Sequence, residues 1–436
     1  MNKIAASLGL VALGTTALHA VEATALNPMQ RSKPWSVAAS LRGFYDDNIN
    51  LLPDKEGSFG VELSPSVDFG LAGDTTSFNL GYQLNARYYE TRPTNQEDHW
   101  SFNNLFEGSF AHAFSPRASM SVHDTFVIGN EPDMARTTQP ETQFQDLPTN
   151  DNIVNYAGID LNLEVSELLG FNIGYNNGYF NYADDGPTVQ GGVIIPSTAG
   201  SLNRIDNKFN IDSQWKVAPQ TVGILGYMYG QTLYTGDEVI GGLVFAPSTF
   251  VYSDSRNMRS QTFYVGAQHV FAPTLSGLVK VGASYNDYYG NPASGDQWTP
   301  YVLANLKYQY RTTTVLDFGF SYSQSASDVV AFGTATQDNL VTDASVALLY
   351  GTVSQTLLER LTAVGRTTLQ YGTYNGGQSI DGEHYVFFQL GLELVYQITP
   401  NFGAHAGYTF DDYSTDVPSQ PDYNRNRVYI GVTAGY

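Results

Sequence analysis

The chain contains no cysteine. It therefore forms no disulfide and offers no thiol for lipid attachment at a mature N-terminus. Charge is scarce as well: Asp, Glu, Lys and Arg make up 14% of the 436 residues. Positive charge is scarcer still, with 21 Lys and Arg against 42 Asp and Glu and a formal net charge of −21. An acid excess of that size repels a phosphate backbone, so nucleic-acid binding is excluded. After the N-terminal segment no apolar run reaches the length of about 18 residues that a membrane-crossing helix needs. Catalytic signatures are missing too. Neither H-E-x-x-H nor G-x-S-x-G occurs, and the seven His are scattered. No enzyme activity, metal or cofactor is expected. Asp46-Asp47-Asn48 and Asp184-Asp185-Gly186 lack the ligand spacing of a calcium loop and read as plain acidic turns.

What the chain does have is aromatics and glycine: 30 Tyr, 24 Phe and 42 Gly. That mixture favours strands and turns over helices. The start of the chain is different. Met1-Asn2-Lys3 leads into an apolar run, Ile4 to Leu18, which ends near the small-residue site Ala23-Thr24-Ala25. This is the layout of a secretory signal peptide over 1–25, with an apolar run too short to span a bilayer. An exported chain with few charges, many aromatics and no spanning helix points to a transmembrane β-barrel over 26–436, placed in a bacterial outer membrane.

A strand between lipid and water must alternate with period two. Phe59, Val61, Leu63, Pro65, Val67, Phe69 and Leu71 alternate against Glu62 and Asp68. Val386, Phe388, Leu390, Leu392 and Leu394 alternate against Gln389 and Glu393. Repeating this along the chain gives an all-β, antiparallel, up-and-down barrel of about 18 strands, with 16 as the lower bound. The expected strand centres are 39, 66, 82, 107, 123, 160, 175, 210, 226, 264, 281, 304, 318, 346, 366, 391, 405 and 431. Connections alternate short and long. Short ones, such as Ser115-Pro116-Arg117 and Ala272-Pro273-Thr274, suit periplasmic turns; long ones, such as 130–151 and 236–256, suit extracellular loops. Aromatics gather at strand ends as membrane girdles do: Tyr88, Tyr89, Trp100 and Trp298 toward the long loops, Phe114, Phe271, Tyr396 and Tyr436 toward the short turns.

The Tyr45-Asp46-Asp47-Asn48-Ile49 run after the first strand is similar to one in outer-membrane proteins of the β-barrel porin 2 type. The Thr399-Pro400-Asn401 turn and the last strand, Tyr429 to Tyr436, resemble that family as well. Some of its members lie beside polysaccharide-export genes. The resemblance implies the barrel fold and no catalytic residue.

The polar strand faces give the expected lumen lining. Its basic members are Arg42, Arg87, Lys208, Lys216, Lys280, Lys307, Arg366 and Arg427. Its acidic members are Glu62, Asp68, Glu107, Asp160, Glu164, Asp206, Asp212, Asp317, Asp343 and Glu393. A charge facing lipid costs about 2–4 kcal/mol at the midplane, so these side chains belong on the water side. The two sets nearly balance, which leaves the acid excess to the loops. The third long loop carries Glu131, Asp133, Glu141 and Asp146 and is the expected cation-preferring pore constriction. The expected function is passive passage of small polar solutes. The alternatives are a barrel serving exopolysaccharide export or assembly and a structural or adhesive surface barrel. Expected partners are outer-membrane lipid and lipopolysaccharide, small polar solutes or polysaccharide, and the barrel-assembly machinery, which would read the terminal strand ending at Tyr436. A homotrimer is expected from the size of the barrel alone.

Overall fold

The computed structural model describes residues 34–436 except 93–97, 130–150, 184–185, 292–293, 328, 332–335, 337–338 and 419. The expected signal peptide lies outside the described residues.

The strands are β1 (Trp35–Asp46), β2 (Ser58–Ala72), β3 (Thr76–Tyr89), β4 (Trp100–Ser115), β5 (Ala118–Gly129), β6 (Asn152–Glu164), β7 (Leu169–Tyr182), β8 (Thr188–Gln190), β9 (Val193–Ile195), β10 (Arg204–Ala218) and β11 (Thr221–Tyr234). They continue as β12 (Val239–Leu243), β13 (Ala246–Tyr252), β14 (Met258–Ala272), β15 (Leu275–Asp287), β16 (Gln297–Arg311), β17 (Thr314–Ser325), β18 (Val341–Leu358), β19 (Leu361–Gly376), β20 (His384–Thr399), β21 (Phe402–Thr415) and β22 (Tyr423–Gly435). One short helix, α1 (Thr198–Leu202), lies in the connection from β7 to β10. Eighteen of the strands form one antiparallel ring; the other four, β8, β9, β12 and β13, form a small sheet in the long loops. Each of the 18 expected strand centres falls within one strand of the ring.

The ring is turned inside out relative to a soluble sheet. Val61 and Leu63 are each 48% exposed, while Glu62 between them is 2% exposed and Ser64 is 6%. Water would not leave alternate hydrocarbon side chains bare on every strand while burying the carboxylates between them. Such an outer wall is matched to lipid, and the dimensions are those of an outer-membrane barrel. No helix among the described residues is long and apolar enough to cross a membrane.

Closure joins the chain's first and last strands. β1 pairs with β22 from Ala38↔Gly435 to Asp46↔Arg427, and Val37 and Tyr436 exchange backbone hydrogen bonds of 3.0 and 2.8 Å. The Tyr45–Ile49 run completes the seam at the long-loop end. Asp46 is buried and accepts Arg425 Nε at 2.9 and 3.0 Å. Asp47 accepts the Asn426 amide at 2.6 Å and Lys55 Nζ at 2.8 Å. Asn48 Nδ2 donates to the Leu52 and Asn424 carbonyls at 2.9 and 2.8 Å. These acidic residues are spent on the seam, and among the described residues no cluster could hold a metal.

Two sequence expectations are corrected here. Tyr89 does not join the outer girdle. It is buried and meets the Phe44 ring edge-on at 5.2 Å, on the opposite face from the exposed Tyr88. Asp343 does not line open lumen. It is fully buried at the long-loop end of β18, where Tyr288 Oη and Asn375 Nδ2 donate to it. Burial and that carboxylate together push the Tyr288 phenol far above its ordinary pKa.

The seam makes a test. Arg425→Ala leaves Asp46 buried without its counter-ion, a loss of about 3–5 kcal/mol. The variant should convert from the compact to the unfolded gel band at lower temperature, and Asp46→Ala added to it should recover part of the loss. The seam also has a pH dependence. Partial burial alone would raise the Asp47 carboxyl, but the Asn426 amide and Lys55 outweigh it and hold it below its ordinary value. A carboxyl depressed on folding contributes stability above its unfolded pKa, about 4, and loses it as pH falls through the folded value. Melting measured against pH should show the seam weakening below about pH 4 and unaffected above it.

Candidate functional site

Residues directly opposite on neighbouring strands share a face, so the register assembles the inner wall row by row. One row runs Arg42↔Glu62↔Arg87 over β1, β2 and β3. Both guanidinium groups bind Glu62, Arg42 on one oxygen and Arg87 on the other, and Ser64 Oγ donates to the same carboxylate at 2.9 Å. Glu62 is enclosed, while the Arg side chains stay 20% and 14% exposed. Two guanidinium groups thus share one enclosed carboxylate at the water-facing wall. The Arg42 guanidinium also lies 5.1 Å from the centre of the Tyr429 ring. Nearer the short-turn end, Asp68↔Gly81↔Glu107 sets two carboxylates on either side of a glycine. A row with two guanidinium groups thus lies above a row with two carboxylates.

A second cluster spans β10 to β15. Lys280 Nζ is 2.7 Å from Asp212, and Tyr264 Oη donates to the same carboxylate. The glycine between them explains how the groups meet over an intervening strand. A Cβ on Gly226 would lie 2.1 Å from the Tyr264 ring and 2.5 Å from Asp212 Oδ1, so any side chain there would occupy the meeting point. Lys307 lies 3.6 Å from Asp317, which also accepts Asn305 Nδ2 at 2.7 Å. Arg427 lies 3.1 Å from Asp411, which accepts Gln389 Nε2 at 2.8 Å. Asp206 takes Arg204 at 3.1 Å and the Thr232 hydroxyl at 2.7 Å.

Lys208 stands on the Asp206–Asp212 face and is exposed. Asp160 faces Gly174 on β7, Arg366 stands opposite Thr352 and Gly391, and Glu393 stands opposite Val364 and Gly407. Of these, Lys208, Asp160 and Arg366 make no ion pair in the clusters above. Glu131, Asp133, Glu141 and Asp146 lie outside the described residues.

The mouth at the long-loop end holds a feature with no sequence signal. Arg256, from the connection between β11 and β14, is buried with its guanidinium 4.6 Å from the Tyr234 ring centre. Its Nη1 donates to Ser201 O at 2.9 Å, and its Nη2 donates to the Ser327 carbonyl. One side chain thereby ties the loops 183–203, 235–257 and 326–340 together. Ile240, Val251, Val330 and Leu340 form a dry cluster within these loops. A second apolar cluster, which includes Val346, Tyr374, Phe387, Tyr413 and Val417, covers the inner faces of β18 to β22 at the same end. Packed loops thus lie at this mouth, and the charged rows lie along the strands below it.

No family model matches the chain, and no curated protein matches it. The likeness to the porin 2 type family therefore stays a resemblance in the residues that carry it. Solved structures resemble the chain in outline. OccAB2 of Acinetobacter baumannii is 12% identical over 92% of this chain and 98% of its own, with a TM-score of 0.41. OccAB4 of the same organism is 12% identical over 94% and 100%, with a TM-score of 0.43. The outer membrane protein OpdK of Pseudomonas aeruginosa is 11% identical over 92% and 99%, with a TM-score of 0.44. Likenesses of this size carry no argument about what this chain binds or passes.

The triad at β1–β3 can be tested by removing its anion. Glu62→Gln leaves two guanidinium groups without their carboxylate. It should cost about 3–5 kcal/mol of stability and move the zero-current potential in a salt gradient toward anions. The loop tie is tested by Arg256→Ala. That variant should expose the loops 183–203 and 326–340 to added protease and raise single-channel conductance, with the barrel's melting little changed.

Proposed function

We propose that the chain is an outer-membrane channel for the passive diffusion of small polar solutes. The observation that carries this reading is the solvent contact of charged side chains on the inner wall: Lys208 is exposed there and the Lys307 side chain is 33% exposed. A barrel serving only as a scaffold would pack its interior. Rings of 16–18 strands leave an aqueous channel, and paired charges along its wall orient dipolar solutes without holding them tightly. The packed loops at the mouth set an upper size limit, while the rows below act on charge.

Cation preference belongs to the same proposal. It is supported by the chain's acid excess and by the acidic loop residues Glu131, Asp133, Glu141 and Asp146, and it is opposed locally by the Arg42–Arg87 row. Insertion by the barrel-assembly machinery through the strand ending at Tyr436 is also proposed. Nothing among the described residues favours polysaccharide export or adhesion over the channel reading.

Liposomes carrying the purified barrel should swell in sugars up to a size limit and not beyond it. Absence of swelling with a folded barrel overturns the channel reading. Reversal potentials in a salt gradient check selectivity: an anion preference, or no change after neutralising Glu131, Asp133 and Glu141, removes the cation-preference part alone.

A further inference from the structure

The outer wall is not uniformly apolar. Asp124, on β5, lies on the same face as Phe126 and the exposed Ile128, and is itself exposed. It pairs in register with Gly108 on β4 and Ala157 on β6. On β4 the exposed aromatic residues Trp100 and Phe114 stand at the two strand ends, eight positions above Gly108 and six below it. At about 3.3 Å per residue and a tilt near 40° these two residues stand about 35 Å apart along the barrel axis, so Asp124 lies about 10 Å inside the nearer edge of an apolar band about 25 Å tall. That depth is hydrocarbon.

Asp124 is the centre of a polar tract. Asn155 Nδ2 donates to its carboxyl at 2.6 Å. On one side, Tyr82 Oη donates to Asn104 Oδ1 at 3.0 Å. On the other, Tyr175 Oη and Asn177 Nδ2 donate to Asn207 Oδ1 at 2.7 and 3.0 Å. These residues occupy the outer faces of β3 to β7 and β10. Through the same band β2, β15, β16 and β20 present apolar side chains such as Val67, Val281, Val302 and Leu390.

We propose that the outer wall from β4 to β10 is the surface on which a second copy of this chain docks within the membrane, with Asp124 at the centre of the contact. The inference rests on the barrel's insertion in lipid. Acyl chains carry no hydrogen-bond donor, and headgroups of either leaflet lie too far from Asp124 to reach it. The tract groups bond to one another, and an occupant that uses their remaining lone pairs and donor hydrogens brings polar groups of its own to hydrocarbon depth. The tract carries carboxyl and amide acceptors beside amide and hydroxyl donors, so it complements itself, which is what a contact between identical subunits requires. Gly108 and Ala157 flank Asp124 with almost no side chain, so two walls can approach closely there, as small residues allow in membrane contacts.

The absence of native cysteine makes the test direct. In intact outer membranes, Ala157→Cys should give a disulfide-linked homodimer on mild oxidation, while Val281→Cys on the apolar side should stay monomeric. Asp124→Leu should weaken self-association of the detergent-solubilised barrel about tenfold or more, as expected for a lost charged hydrogen-bonded contact. Two results overturn the proposal. One is a folded Ala157→Cys barrel that stays uncrosslinked or links only to a different protein. The other is Asp124→Leu raising thermal stability with no change in mass, the behaviour of a lone carboxyl facing lipid. Compact migration of each variant on an unheated gel confirms folding, so failure to insert is separated from failure to associate.

Discussion

A backbone amide in hydrocarbon can bond only to another backbone. Everything else in the molecule follows from that constraint. Each strand of the ring needs a partner on both sides, so the first strand must find the last. The side chains then divide between two solvents on alternate residues, because the pleat gives them no other choice. Hydrocarbon receives Val61 and Leu63, and the interior receives Glu62 and Ser64. The same division makes the inner wall a place where charges can meet, since residues opposite in register face one another across about 5 Å.

That register determines which charges meet. Arg42, Glu62 and Arg87 are far apart in sequence and form one row because three strands bring them level. Asp212, Tyr264 and Lys280 come from three strands and meet over a fourth, where a glycine leaves room. Anion and cation stand one to one in the Asp206–Arg204, Asp212–Lys280, Asp317–Lys307 and Asp411–Arg427 contacts, while two guanidinium groups share Glu62. Above it the loops behave differently. They pack as a small soluble core would, with apolar clusters and a buried arginine bonded to carbonyls.

Most of the ring was legible in the sequence. Period-two alternation locates a strand within a few residues, and the alternation of short and long connections counts the strands independently. The loops were not legible. Arg256 meets Ser201 and Ser327 across 55 and 71 positions, and no local pattern encodes such a meeting. Tyr89 was misassigned because two adjacent aromatics, Tyr88 and Tyr89, cannot both face lipid, and which of them does depends on register. Asp343 was misassigned because charge alone was taken to imply open water. Asp124 escaped notice by the same rule: in Ser121-Val122-His123-Asp124-Thr125-Phe126 polar residues occupy both faces, and only pairing with Gly108 and Ala157 shows which way the carboxyl points.

Asp46 and Arg425 stand 379 positions apart. Until β1 and β22 pair, Asp46 lacks the Arg425 guanidinium, and its carboxylate stands on an edge open to water. Pairing of the two end strands in register brings the guanidinium over the carboxylate and buries it. The pair therefore acts as a latch that engages once, at completion. An abandoned intermediate would keep a polar, unlatched edge by which it could be told from a finished barrel.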